Sequence, residues 1–138
     1  TLRTLDEDFR MQVHELLINL ANSISKDSGA SCFLDIKKGY PTLYNNPGLT
    51  KKCQNMSKFF LDFDSVKELD IRMASEDFSY FSQICPSCFF RLGVGNTQKK
   101  ITHSVHTPHF NIDERSIEIG VGLMSYLIIS NLLNLKKF

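Results

Sequence analysis

The sequence predicts an α/β fold. Segments with helical periodicity alternate with short segments of β pattern, no repeat or low-complexity tract interrupts them, and 138 residues are enough for one packed domain or pieces of two.

"TLRT" at 1–4 reads as a short extended piece. Asp6 follows as the N-cap of a long amphipathic helix, whose stripe of Phe9, Val13, Leu16, Leu17, Leu20 and Ile24 recurs at the 3.6 period. Gly29 ends it. "SCFLDIKKGYP" then alternates as a strand, with Cys32, Leu34 and Ile36 on one face and Phe33, Asp35 and Lys37 on the other. Residues 1–41 are thus one strand, helix, strand unit.

"GYPTLYNNPG" holds two prolines, two glycines and two asparagines within ten residues, and predicts a boundary. Beyond it, "LTKKCQNMSKFFLDF" has Leu49, Cys53, Met56 and Phe60 at helical spacing. "VKELDIR" fits a short strand, "SEDFSYFSQI" a short helix capped by Ser75, and "CFFRLGVG" a buried strand. A polar loop, "NTQKKITHSVHTPHFN", leads to a final helix from about Asp113 to Asn134.

Charge excludes one class of partner. The formal net charge is +1, and Lys and Arg are scattered apart from the pairs at 51–52, 99–100 and 136–137, so nucleic acid is not expected. The apolar run at 117–135 approaches membrane-span length but carries Glu118 with several Ser and Asn, and reads as a buried helix rather than a membrane contact. The chain opens on Thr1 without a signal peptide, which sets the expectation of a cytoplasmic protein cut from something longer.

Cys32, Cys53, Cys85 and Cys88 do not form a disulfide-rich framework, and reduced structural thiols are expected. "CPSC" at 85–88 precedes a β-patterned segment rather than the helix N-terminus a redox pair uses, and a zinc ribbon needs a second such pair. A thiol redox protein is therefore the least favoured reading. Gly93 and Gly95 lack the frame of a phosphate loop and point to close backbone packing.

His103, His106 and His109 stand at steps of three, but Pro108 prevents a helix from stacking them. In an extended segment His103 and His109 point to one side and His106 to the other, so the three do not share a metal. Spacing alone leaves each as a solvated or locally bonded histidine.

Five segments taken in order carry more. "TLRTLDED", "KKGYPTLYNNPGLT", "MASEDFSYF", "FFRLGVGN" and "VHTPHFNIDE" resemble, in order and spacing, the C-terminal part of metal-dependent amidohydrolases and metallopeptidases of the hippurate hydrolase, N-acyl-amino-acid amidohydrolase and auxin-conjugate amidohydrolase type. The resemblance implies a two-domain fold in which residues 1–41 are the second half of a ferredoxin-like lid, used for homodimerisation, and 42–138 the last segment of the catalytic domain. It implies a divalent metal (Zn, Mn or Co), with His106 as its last ligand, and an N-acyl amino acid or peptide as substrate. Arg3 falls where the family binds the substrate carboxylate, a task suited to a guanidinium fork. Glu76 and Asp77 match the family's Gly-[SA]-Glu-Asp-Phe turn beside the metal, with Ala74 in place of the Gly, and Glu76 is expected to orient a ligand. The family's other ligands and its general base lie upstream of this sequence, so the chain alone is expected to be inactive. The alternative is a non-catalytic remnant acting as a dimerisation module.

Overall fold

A computed structural model describes residues 1–133. Its helices are α1 (Glu7–Asp27), α2 (Pro47–Phe60), α3 (Ser79–Ile84) and α4 (Arg115–Leu132), all within segments read as helical except that α2 starts two residues early, in the stretch read as a boundary. The expected end of the last helix at Asn134 lies outside the described residues.

The β-patterned segments behave differently. Among the described residues the only sheet pairing is an isolated antiparallel bridge between Asn96 and Ile101. The strands expected at 1–4, 31–41, 66–72 and 88–95 form no ladder. Alternation of apolar and polar residues selects a face; a ladder also needs a second backbone at about 4.8 Å. Of the α/β class the described residues thus show the helices and almost no strand. No described helix is long and apolar enough to cross a membrane.

The chain divides into two compact units, Thr1–Asn45 with Leu69–Ser87, and Asn46–Glu68 with the chain from Cys88 onward.

In the first unit, α1 starts where Asp6, in extended conformation, accepts a 2.9 Å hydrogen bond from the Phe9 amide. Glu7 and Asp8 sit at the positive end of the helix dipole. The helix stops at Ser28, whose amide and hydroxyl both reach the Ile24 carbonyl, and at Gly29, whose φ of +68° is the left-handed geometry glycine accepts freely. The predicted period is present, but most of the apolar stripe is not on the covered side. His14 is buried and Glu7, Arg10, Met11, Val13, Ala21 and Ser25 are half-buried, whereas Phe9, Leu16, Leu17, Leu20 and Ile24 of the stripe are exposed, Leu16 to 65%.

What covers the polar side is the stretch read as a boundary. Glu7 accepts from the Thr42 amide at 2.7 Å and the Thr42 hydroxyl at 3.0 Å, while Arg10 pairs with Glu7 and donates to the Tyr40 carbonyl at 3.2 Å. Gln83 on α3 donates to the Thr42 carbonyl at 2.9 Å, and the Tyr40 and Tyr80 rings meet edge to face at 5.8 Å. Burial works to raise the Glu7 carboxyl, and the bonds from Thr42 and Arg10 outweigh it, leaving it below its ordinary value.

In the second unit, α2 is capped by Asn46, which accepts from the Leu49 amide at 2.9 Å, with Pro47 in the first turn. It packs against α4 around Met56, Leu123 and Leu127, flanked by Cys53, Leu61 and Tyr126. The rings of Phe59 and Phe60 stack on Tyr126 at 6.4 and 5.3 Å. Gly122 makes the second contact possible, since a Cβ there would lie 3.0 Å from the Phe60 ring. Of the two glycines expected to pack closely, Gly95 does so, facing the Ile101 carbonyl, while Gly93 faces open space.

Candidate functional site: an anchored histidine loop

Residues 102–112 connect the Asn96–Ile101 bridge to α4. At the bridge the two residues exchange backbone hydrogen bonds of 2.9 and 2.8 Å around a four-residue turn, 97–100, that closes through Lys100 at φ 58°. Asn96 accepts from the Lys99 amide at 3.1 Å, which fixes the turn from within.

Asp113 ties the far end of the loop back to this hairpin. Its amide donates to the Val94 carbonyl at 2.8 Å; its carboxylate accepts from Lys99 Nζ at 2.7 Å and from Asn96 Nδ2 at 2.5 Å. Its carbonyl receives the Ser116 amide in the first turn of α4. The Lys99 hydrogen bond, then the Asn96 bond, draw the Asp113 carboxyl down to about 2.

Between these anchors the loop is not extended, contrary to the expectation from alternation. Turns fall at 105–106 and 108–109, and His106 takes φ 65°, a left-handed conformation that costs a non-glycine residue roughly 1–3 kcal/mol. Thr107 Oγ1 donates to the Ser104 carbonyl at 2.9 Å, and the Phe110 amide to the Thr107 carbonyl at 3.1 Å. The chain reverses, and the rings of His103 and His109 come to 5.3 Å between centroids. These two do share a side, through the reversal rather than through strand alternation. All three histidines are exposed.

The remaining candidates lie in the first unit. Arg3 Nη1 donates to Ser75 Oγ at 3.4 Å and to the Met73 carbonyl at 3.5 Å, which brings Arg3 to the turn that carries Glu76 and Asp77. Ser75 does not cap α3 as expected; it takes Arg3, while Glu76 Oε1 accepts from the Phe78 amide at 3.3 Å. The Glu76 and Asp77 carbonyls accept from the Ser79 and Tyr80 amides and start the helix.

All four cysteines are free thiols. Burial, and then the neighbouring Cys88, push the Cys53 thiol up, away from the thiolate form that nucleophilic chemistry uses. Among the described residues no three His, Cys, Asp or Glu gather where they could hold a metal ion. A catalytic zinc-type centre takes about three protein ligands, and the described residues bring no such set together.

Sequence reasoning missed Asn96, Lys99 and Asp113. The helical pattern marks Asp113 only as the approximate start of the last helix, and no local spacing marks a carboxylate as the partner of a lysine fourteen residues away.

Residues 7–130 match the model of peptidase family M20/M25/M40. The chain is 31% identical to thermostable carboxypeptidase 1 of Saccharolobus solfataricus, over 87% of this chain and 30% of that protein. It is 28% identical to the putative amidohydrolase YhaA of Bacillus subtilis, over 85% of this chain and 30% of that protein. To the IAA-amino acid hydrolase ILR1-like 6 of Arabidopsis thaliana it is 25% identical, over 83% of this chain and 25% of that protein. The chain thus spans a quarter to a third of the length of these relatives. No solved structure matches.

Proposed function

The chain belongs to peptidase family M20/M25/M40, and on that footing we propose that it is the C-terminal portion of a metal-dependent hydrolase cleaving the amide of N-acyl amino acids or peptides. In this reading residues 1–41 are the second half of a lid that also makes a homodimer contact, and 42–138 end the catalytic part. His106 is one ligand of a divalent zinc, manganese or cobalt ion. Such an ion, when bound, supplies Lewis-acid polarisation and lowers the pKa of water. Arg3 takes the substrate carboxylate through its planar fork, and Glu76 and Asp77 brace the surroundings of the centre. The reading includes a cytoplasmic location and neither nucleic acid nor membrane as partner.

The observation that carries this proposal is the backbone of His106. A histidine held at φ 65° in a loop tied down by Asp113 and the Asn96–Ile101 bridge is a presented side chain at an energetic cost, as ligand positions often are. Hydrolysis belongs to the complete protein, and the isolated chain is inactive, because it offers too few ligands for a catalytic centre.

A chimera tests it, with this chain replacing the segment it matches in the Saccharolobus carboxypeptidase. Metal-dependent hydrolysis of an N-acyl amino acid or peptide is expected, with His106→Ala lowering that hydrolysis by roughly a hundredfold and His103→Ala leaving it little changed. A folded, active chimera indifferent to His106→Ala would overturn the assignment.

A further inference from the structure

We infer that His103 and His109 form a second cation site, a two-histidine clamp for a divalent ion of the zinc class, distinct from the role given to His106. The geometry is quantitative. With a Zn–N bond of about 2.1 Å and about 1.1 Å from nitrogen to ring centre, each imidazole centroid lies about 3.2 Å from a bound ion; a tetrahedral angle then separates two centroids by about 5.2 Å. His103 and His109 stand at 5.3 Å.

The site is also pre-shaped. The left-handed turn at His106 reverses the chain, the Thr107 to Ser104 bond of 2.9 Å closes the reversal, and Asp113 with the Asn96–Ile101 bridge fixes both ends of the loop. Little chain ordering is left for the ion to drive, which favours binding. Both rings are exposed, which leaves the other positions of a bound ion open to water. His106, between them in sequence, serves this clamp through its backbone only.

The test is a Zn²⁺ titration of the 138-residue chain, followed through the imidazole nitrogen resonances of its four histidines. His103 and His109 are expected to shift together and saturate at one equivalent, with His14 and His106 unmoved. His103→Asn and His109→Asn should each weaken binding by about tenfold or more, and His106→Asn by less than about threefold. Both substituted positions are exposed, and an unchanged helical circular dichroism signal checks the variants; should one misfold, the unsubstituted chain's spectra decide. Resonances of His103 and His109 that stay fixed, that move at different zinc concentrations, or that move together with His106 overturn the proposal, as does a His106→Asn effect equal to the other two.

Discussion

Lys99 Nζ and Asp113 Oδ1 stand 2.7 Å apart, joining the tip of the Asn96–Ile101 hairpin to the residue from which α4 departs. This contact, with the Asn96 bond to the same carboxylate, holds the two ends of the histidine loop together. Asp113→Ala should therefore free the loop without melting the helices. Amide hydrogen exchange at Asn96, Ile101 and Ser116 is expected to speed up by about tenfold or more while that of Leu127 changes little. Equal acceleration at all four would show that Asp113 supports the whole unit.

Acid should act through the same carboxyl. The Asp113 carboxyl lies below its ordinary value when folded, so its contribution is complete above about pH 4 and disappears as pH falls toward about 2. Glu7 is shifted in the same direction. An acid titration of stability should fall over that window, and Asp113→Asn should flatten the part of the fall reported from the hairpin.

Core size makes the second unit sensitive. Met56, Leu123 and Leu127 are its buried apolar residues among those described, so Leu123→Ala should cost about 3 kcal/mol in urea unfolding. A loss below about 1 kcal/mol would mean that the α2–α4 contact collapses onto the cavity.

His106 should trade stability against function. His106→Gly removes the penalty of φ 65° and is expected to leave stability unchanged or raise it by up to about 1 kcal/mol, while His106→Val lowers it. In the chimera both variants should lose metal-dependent activity. If glycine destabilises the chain, the imidazole itself holds the loop.

Helices were legible in the sequence because their signals are local. Asp6 caps α1 as its position predicts, and the apolar period marks α1 and α2, whereas Asn46, the cap of α2, lies in the stretch read as a boundary. The side that is covered was not legible on α1. Periodicity marks an apolar stripe, yet the contacts of Glu7 and Arg10 with Thr42 and Tyr40 come from a segment some thirty residues on and turn the polar side inward. The β-patterned segments failed for a related reason, since pairing depends on a second strand that alternation cannot supply. At the candidate site, Arg3 stands beside the turn that carries Glu76, a proximity that the sequence separation hides. The Asp113 contacts and the meeting of His103 with His109 needed the chain reversal, which no spacing rule encodes.

The outward stripe of α1 can be neutralised cheaply. Leu16→Ser and Leu20→Ser remove side chains exposed to 65% and 56%, and each should change unfolding stability by less than about 0.5 kcal/mol. Light scattering of a concentrated solution should drop in the double variant. A stability loss of several kcal/mol would show that the stripe is covered in solution.

The wet stripe of α1 also gives the chain an unusual thermal temperament. Contacts made by its leucines draw their strength from water released off apolar surface, which weakens on cooling and strengthens on warming and in sulfate. A refrigerated, low-salt solution should accordingly hold the chain dispersed, and gentle warming or salting should cloud it well before any helix unfolds.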